Sequence, residues 1–496
     1  MYYKMEILNT LLVVSIIPLL GVALLLCVPE KYESYCFSLV FFISCLTFLS
    51  SLLLWLEFDS SCSSFQFFYT FDWLPLFNLY YTVGIDGISL FFIILTTFLT
   101  MMCVLSSWNS VTYRIKEYLV CFLLLEFFLI QVFSVLDLLL FYIFFESVLM
   151  PMFFIVGIWG SRTRKIRAAY QFFLYTLLGS VLMLVGILVI YFQVGTTDLQ
   201  ILQNAEFSEK KQIILWLALF FSFAVKVPMI PFHIWLPEAH AEAPTAGSVM
   251  LAGILLKLGA YGFLRFSLPM FPLATIFFTP FIFVLSLIAA IYASLTTLRQ
   301  IDLKKIIAYS SVSHMGFVTV GIFTLNVQGL EGSVFLMLSH GLVSSALFLC
   351  VGILYDRHRT RIIKYYNGLV QVMPIFATFF LFFSFANIGF PGTSSFIGEL
   401  LILLGAFQSS IVLTIFISFS MVLSAAYSIW MFNRIMFGVL KVQYFSTFQD
   451  VSRKEFTILS LMVLLTLWMG IYPESFLNEM HVSIFNLLEQ ANYSQK

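Results

Sequence analysis

The sequence predicts an all-α polytopic membrane protein with about fourteen transmembrane helices and two inverted five-helix repeats. Three observations lead there. Hydrophobic residues make up 61% of the chain and charged residues only 10%. Apolar runs long enough to cross a hydrocarbon core of ~30 Å recur from end to end. The basic residues also sort by side. If the runs are numbered in order, the odd-numbered connections hold eighteen of the twenty-five Lys and Arg, including Lys31, the run Arg162–Arg167, Lys304, Lys305 and Arg361. The even side holds Lys4, Lys210, Lys211, Arg265 and Lys496. A missed helix would scramble this asymmetry. By the positive-inside rule the odd side faces the cytoplasm or matrix, and both termini face outward.

The apolar runs fall at residues 7–28, 35–56, 85–107, 117–134, 136–157, 168–192, 212–232, 245–266, 275–297, 304–324, 331–354, 373–404, 411–433 and 456–476. The chain begins MYYKMEILNT and runs straight into the first of these without an Arg-rich presequence, so that run reads as a retained membrane helix. The longest polar connection, 57–84, is rich in aromatics. Spans 4–8 and 9–13 form two blocks of five. An odd number of helices makes the second block start from the opposite side. The fourth helix of the first block is broken by Pro228 and Pro231, and the fourth of the second at Asn387–Gly392. Interruptions at matching positions of inverted blocks are a transporter-like pattern. The expected divisions are a three-helix segment at 1–116, repeats at 117–268 and 269–440, and a C-terminal helix and tail at 441–496.

Ionisable residues inside such runs are functional candidates, because a charge at the centre of a membrane helix costs about 2.5–3.5 kcal/mol on insertion scales. Lys226 lies two residues before Pro228. Prolines 228 and 231 should free the carbonyls of Ala224 and Val227, which could solvate an ammonium able to give up and take back a proton. Snorkelling to an interface is the ordinary alternative. Lys257 sits among Gly253, Gly259, Ala260 and Gly262, which let helices approach closely. Glu146 lies mid-span before Pro151, and beside a lysine it would form an ion pair. Glu399 follows the second break and suits the exit end of a proton path; a structural partner to a base is its alternative role. His314 and, more weakly, His340 could relay protons between fixed lysines and acids, or simply pack. Glu126, His233, Glu238, His240 and Glu242 are weaker candidates, the last three placed in a solvated turn at a membrane boundary. Arg162–Arg167 reads as a topogenic loop.

The composition excludes a nucleic-acid binder, which would need basic clusters on a folded surface. Seven scattered cysteines contain no CxxC pair, and the chain has no GxGxxG, Walker loop or HExxH. No nucleotide, flavin or metal site is expected.

The segments PFHIWLPEAHAEAPTAGSVMLAGILLKLGAYG, FFESVLMPMFF, IIAYSSVSHMGF and GFPGTSSFIGE resemble the chain-4 family of the proton-pumping NADH–ubiquinone oxidoreductase (respiratory complex I), one of the antiporter-like membrane subunit families. The resemblance covers essentially the whole chain. It implies that Glu146 and Lys226 form an ion pair, that Lys257 and His314 continue a proton path, and that Glu399 is its terminal acid. It implies neighbouring antiporter-like subunits as partners in the bilayer. NADH, FMN, Fe–S clusters and ubiquinone are then held by other subunits. Phe richness and the missing presequence fit a mitochondrially encoded, plant-like version in the inner membrane, with both termini toward the intermembrane space. The competing reading is a subunit of a cation/proton antiporter without redox coupling.

Overall fold

The computed structural model describes residues 9–29, 33–441, 443–444 and 448–493. Lys4, Lys31 and Lys496, used in the charge count, lie outside them, as does the start of the first expected span. The helices are α1 (Thr10–Cys27), α2 (Glu33–Glu57), α3 (Gly87–Ser107), α4 (Ile115–Ser134), α5 (Leu138–Ser147), α6 (Leu149–Trp159), α7 (Lys165–Val194), α8 (Leu199–Leu202), α9 (Glu209–Lys226) and α10 (Trp235–Glu242). They continue as α11 (Thr245–Met270), α12 (Pro272–Thr297), α13 (Leu303–Phe323), α14 (Val327–His358), α15 (Pro374–Ile388), α16 (Ser394–Ser409), α17 (Ile411–Met436), α18 (Arg453–Ile471) and α19 (Glu474–Tyr493).

Twelve helices among the described residues are long and apolar enough to cross a membrane, with α5 and α6 counted as one. The other two expected spans are the interrupted ones: 212–232 falls on α9 and the break after it, and 373–404 on α15 and the start of α16. Helices α3, α11, α13 and α14 are buried along almost their whole length, whereas α1, α2, α12, α17 and α18 bury about one face in three. The bundle therefore has a protein-surrounded centre inside an apolar wall. Helix α14 packs against α11, α13, α15, α16, α18 and α19 and forms the hub.

Three local features position the site. At the first break α9 ends at Lys226, and Pro228 and Pro231 prevent a regular continuation. At the second, α15 stops on Gly389 with φ +81°, and Gly392 has φ +90°. Only glycine adopts these left-handed values readily. The third is within α11, where Leu251–Leu255 and Phe263–Ser267 are π-helical turns on either side of Lys257. Such widened turns cluster at functional sites.

Two elements were not read from the sequence. The aromatic connection 57–84 contains an antiparallel hairpin, β1 (Gln66–Leu74) with β2 (Leu79–Ile85), turned at Pro75–Asn78. Its β-branched and aromatic residues favour extended backbone. Beyond the last apolar span, α19 buries Phe476, Met480, Ile484, Leu487 and Leu488 at helical spacing and lies against α3, α11 and α14.

Candidate functional site: a buried line of ionisable groups

Asp137 caps α5 through its carboxylate, which accepts from Leu139 N and Leu140 N. The helix then delivers Glu146 toward the end of α9. Lys226 Nζ lies 3.8 Å from Glu146 Oε1, with side-chain exposures of 4% and 16%. The ammonium donates to the Phe145 carbonyl at 2.6 Å and sits 3.1 Å from the centroid of the Phe145 ring. The expectation that a proline-freed Ala224 carbonyl solvates Lys226 is corrected. Met229 N reclaims the Ala224 carbonyl at 2.9 Å, and Trp235 Nε1 takes that of Val225 at 2.9 Å. The neighbouring helix supplies the carbonyl instead. Lys226 is also the last residue of α9, where a cation meets the negative end of the helix dipole.

Lys257 is fully buried in α11. Its Nζ donates to the Ala252 carbonyl, inside the first widened turn, and lies 2.9 Å from His340 Nδ1 on α14. The His340 and His314 rings are 5.6 Å apart between centroids. His314 Nδ1, on α13, lies 3.4 Å from Glu399 Oε1 on α16. A Cβ on Gly389 would collide with Glu399 Oε2, so the second break lies directly against the carboxylate. The four residues form one contact series across four helices. His340 Nε2, His314 Nε2 and Glu399 Oε2 are buried without a protein hydrogen-bond partner, which leaves each free to hold a proton or a water.

The six sequence candidates thus fall into two groups, Glu146 with Lys226, and Lys257 with His340, His314 and Glu399. No side-chain contact joins Lys226 to Lys257 among the described residues. The helices carrying them do meet. A Cβ on Gly259 would fall 2.7 Å from the Phe223 carbonyl, so only glycine permits this approach. His340, the weaker candidate by sequence, is the direct contact of Lys257.

The weaker residues separate. Glu238 pairs with Lys305 at 2.5 Å in a partly exposed position, as a solvated turn would have it. His240 and Glu242 are buried, contrary to the expectation of solvent, because Lys304, Arg361 and the Phe348 ring cover the end of α10 and the turn after it. His240 stacks on Phe348, and both its ring nitrogens lack protein partners. His233 is buried beside Tyr292 and Tyr309. Glu126 accepts from Thr47 Oγ1 at 2.7 Å. Arg162 and Arg164 are exposed between α6 and α7, and Arg167 is exposed in the first turn of α7.

Three basic residues counted as loop charges are buried, two of them inside helices. Lys304 lies buried in the first turn of α13 and donates to the Ala243 carbonyl at 2.7 Å. Arg361, fully buried, donates to the Ala241 carbonyl and approaches Asp302 at 3.7 Å and Glu242 at 4.0 Å. Arg265 forks onto Asp86 through Nη1 at 2.9 Å and Nη2 at 2.6 Å. Sequence reasoning missed Asp86. Its only local signal, Asp-Gly-Ile-Ser, marks a helix start, and Asp86 does cap α3. Among the described residues no group of three or more His, Cys, Asp or Glu is arranged to hold a metal ion.

Buried ionisable groups strung across a helical membrane bundle with two broken helices define the class of antiporter-like membrane subunits. The family described as NADH:quinone oxidoreductase/Mrp antiporter, TM, matches residues 135–424, which include all six candidates. A chain of respiratory complex I from Thermus thermophilus superposes with TM-score 0.89 at 30% identity, covering 97% of this chain and 99% of that one. A chain of the Mrp complex from a Dietzia species gives TM-score 0.88 at 19% identity, covering 99% of each, a likeness of fold alone. NADH-ubiquinone oxidoreductase chain 4 of Chondrus crispus is 70% identical over 491 residues, 99% of this chain and 100% of that one. The Arabidopsis thaliana protein of the same name is 60% identical over 476 residues, 96% of each. The chain belongs to the NADH-ubiquinone oxidoreductase chain 4 family, the antiporter-like membrane subunits of complex I.

Proposed function

We propose that this chain moves protons across the mitochondrial inner membrane, driven by quinone reduction elsewhere in the complex. The observation that carries the reading is the buried contact series Lys257–His340–His314–Glu399. Each member can hold or release a proton, and each touches the next. A perturbation from the redox arm changes the Glu146–Lys226 separation and hence how tightly each group holds its proton. Water bridges Lys226 to Lys257 beside the Gly259–Phe223 approach. The proton then passes by His340 and His314 to Glu399, which discharges outside. Moving one charge against the membrane potential costs about 2.3 kcal/mol per 100 mV, so redox energy must supply it. NADH, FMN, Fe–S clusters and ubiquinone act in other subunits. Residues 117–268 and 269–440 act as the two inverted halves, between the segments 1–116 and 441–496, with both termini toward the intermembrane space and other membrane-arm subunits as neighbours.

Lys257→Met tests this. The assembled complex should still oxidise NADH with quinone but build little ΔpH in vesicles. Normal pumping would sink the proposal. The Mrp-like fold favours one rival, a cation/proton antiporter subunit without redox coupling. Co-purification with NADH:ubiquinone activity and Fe–S proteins supports the first reading. Na⁺-dependent collapse of ΔpH without them supports the second.

A further inference from the structure

The Asp86–Arg265 pair lies outside the proton path, but Arg265 stands on the same helix as Lys257. Lys257, Tyr261 and Arg265 follow one another four residues apart, so they share a face of α11. Arg265 stands ~12 Å along the axis from Lys257. Beyond it, a polar cavity of about 30 Å³ is lined by Ser63, Gln203, Ser483 and Asn486 together with the pair itself. That volume holds about one water. A polar stripe from Lys257 to this cavity would be a short circuit, leading protons away from His340.

The stripe is interrupted chemically. A proton relay needs groups that accept and then donate. Guanidinium has five donors, no acceptor and no dissociable proton near neutral pH. Both ends of Arg265 are also occupied. Nη1 and Nη2 fork onto Asp86, and Nε donates to Tyr261 Oη at 3.1 Å. Tyr261 in turn spends its own proton on the Phe133 carbonyl at 3.0 Å. Asp86 is held by Ser89 N at 3.0 Å. The rings of Phe65 and Tyr261 flank the guanidinium at 5.0 and 5.2 Å. Helix α19 closes the outside, where Ser483 Oγ accepts from Gly87 N at 3.0 Å. The carboxylate balances the guanidinium, so the pair can stay buried.

We propose that Asp86 and Arg265 form a proton plug: a break in the relay at the end of α11 that keeps a proton on Lys257 committed to His340. The proposal rests on the reading of Lys257 as a proton carrier. It is tested in vesicles containing the assembled complex, with passive proton leak measured after a pH step without NADH. The pair Asp86→Asn with Arg265→Gln keeps the shapes but supplies groups that accept as well as donate. Its leak should rise severalfold, NADH oxidation should stay at the wild-type rate, and adding Lys257→Met should return the leak to wild type. Arg265→Lys keeps the ion pair but adds a dissociable proton, and should leak to a smaller extent; it decides alone if the double variant does not assemble. Wild-type leak in the assembled variants, or a leak that survives Lys257→Met, overturns the plug. Lys257→Met alone separates the two ideas. If it pumps normally, the path reading fails. If it does not pump and the plug variants do not leak, the plug alone fails.

Discussion

Lys226–Glu146 and Asp86–Arg265 are both ion pairs between distant parts of the chain, the second buried and the first with its carboxylate partly exposed, and they are built differently. The first is a single approach at 3.8 Å, in which Glu146 Oε1 has no hydrogen-bond partner and the ammonium leans on a carbonyl and a ring. The second is a two-pronged fork at 2.6 and 2.9 Å, with Tyr261 and Ser89 completing its hydrogen bonds. Coulomb attraction already favours the closer pair at the effective dielectric of a protein. The hydrogen bonds differ greatly. A pair without them can part and re-form as its surroundings change, whereas a forked and fully bonded pair is held in one geometry. Each construction matches its proposed task, a movable contact at the start of the path and an immovable stop beside it.

The largest expected effect comes from deleting the movable member. Lys226→Ala should lower NADH-driven pumping at least about tenfold in an assembled complex; near-normal ΔpH formation counts against the assignment. A sharper way to break the contrast is Lys226→Arg, which keeps the charge but offers Glu146 a fork. Pumping should fall severalfold with assembly intact, and a wild-type rate would show that looseness is not required. At the second break, Gly389→Ala places a side chain at φ +81° against Glu399. The strain is about 1–3 kcal/mol, read as earlier thermal inactivation of the complex together with slower pumping. The smallest effect belongs to Glu126→Gln. Thr47 donates to one oxygen, and glutamine keeps that acceptor. Pumping rates should match wild type within error, and a clear loss would bring Glu126 into the path.

The sequence exposed those residues whose environment is set by their own segment. Lys226, Lys257, Glu146 and Glu399 are visible because a charge in an apolar run is costly wherever the run packs. The two breaks are visible because proline and glycine act locally. What stayed hidden depends on partners far along the chain. Asp86 looks like an ordinary helix cap until Arg265, 179 residues away, is laid on it. The direct contact of His340 with Lys257 requires a register between α11 and α14 that no spacing encodes. Lys304 and Arg361 look like loop charges because the carbonyls that bury them, those of Ala243 and Ala241, lie 61 and 120 residues away and leave no trace in their neighbours. Helix α19 is too polar to count as a span, and the hairpin lies in a connection whose aromatics alone do not say what they pair with.

The widened turns of α11 carry a consequence for chain length. A π-helical turn holds one residue more than the α-helical turn it replaces. Each therefore stores a one-residue insertion while the helix on either side stays in phase with its neighbours. Removing one residue from 251–255 should leave the packing of Gly247 and Gly259 in place, yet withdraw the widened turn that offers the Ala252 carbonyl to Lys257. The second turn, 263–267, contains Arg265 itself. The two cations of this helix thus each accompany a surplus residue, and a relative that has lost one of these insertions should carry an uncharged side chain at the corresponding position.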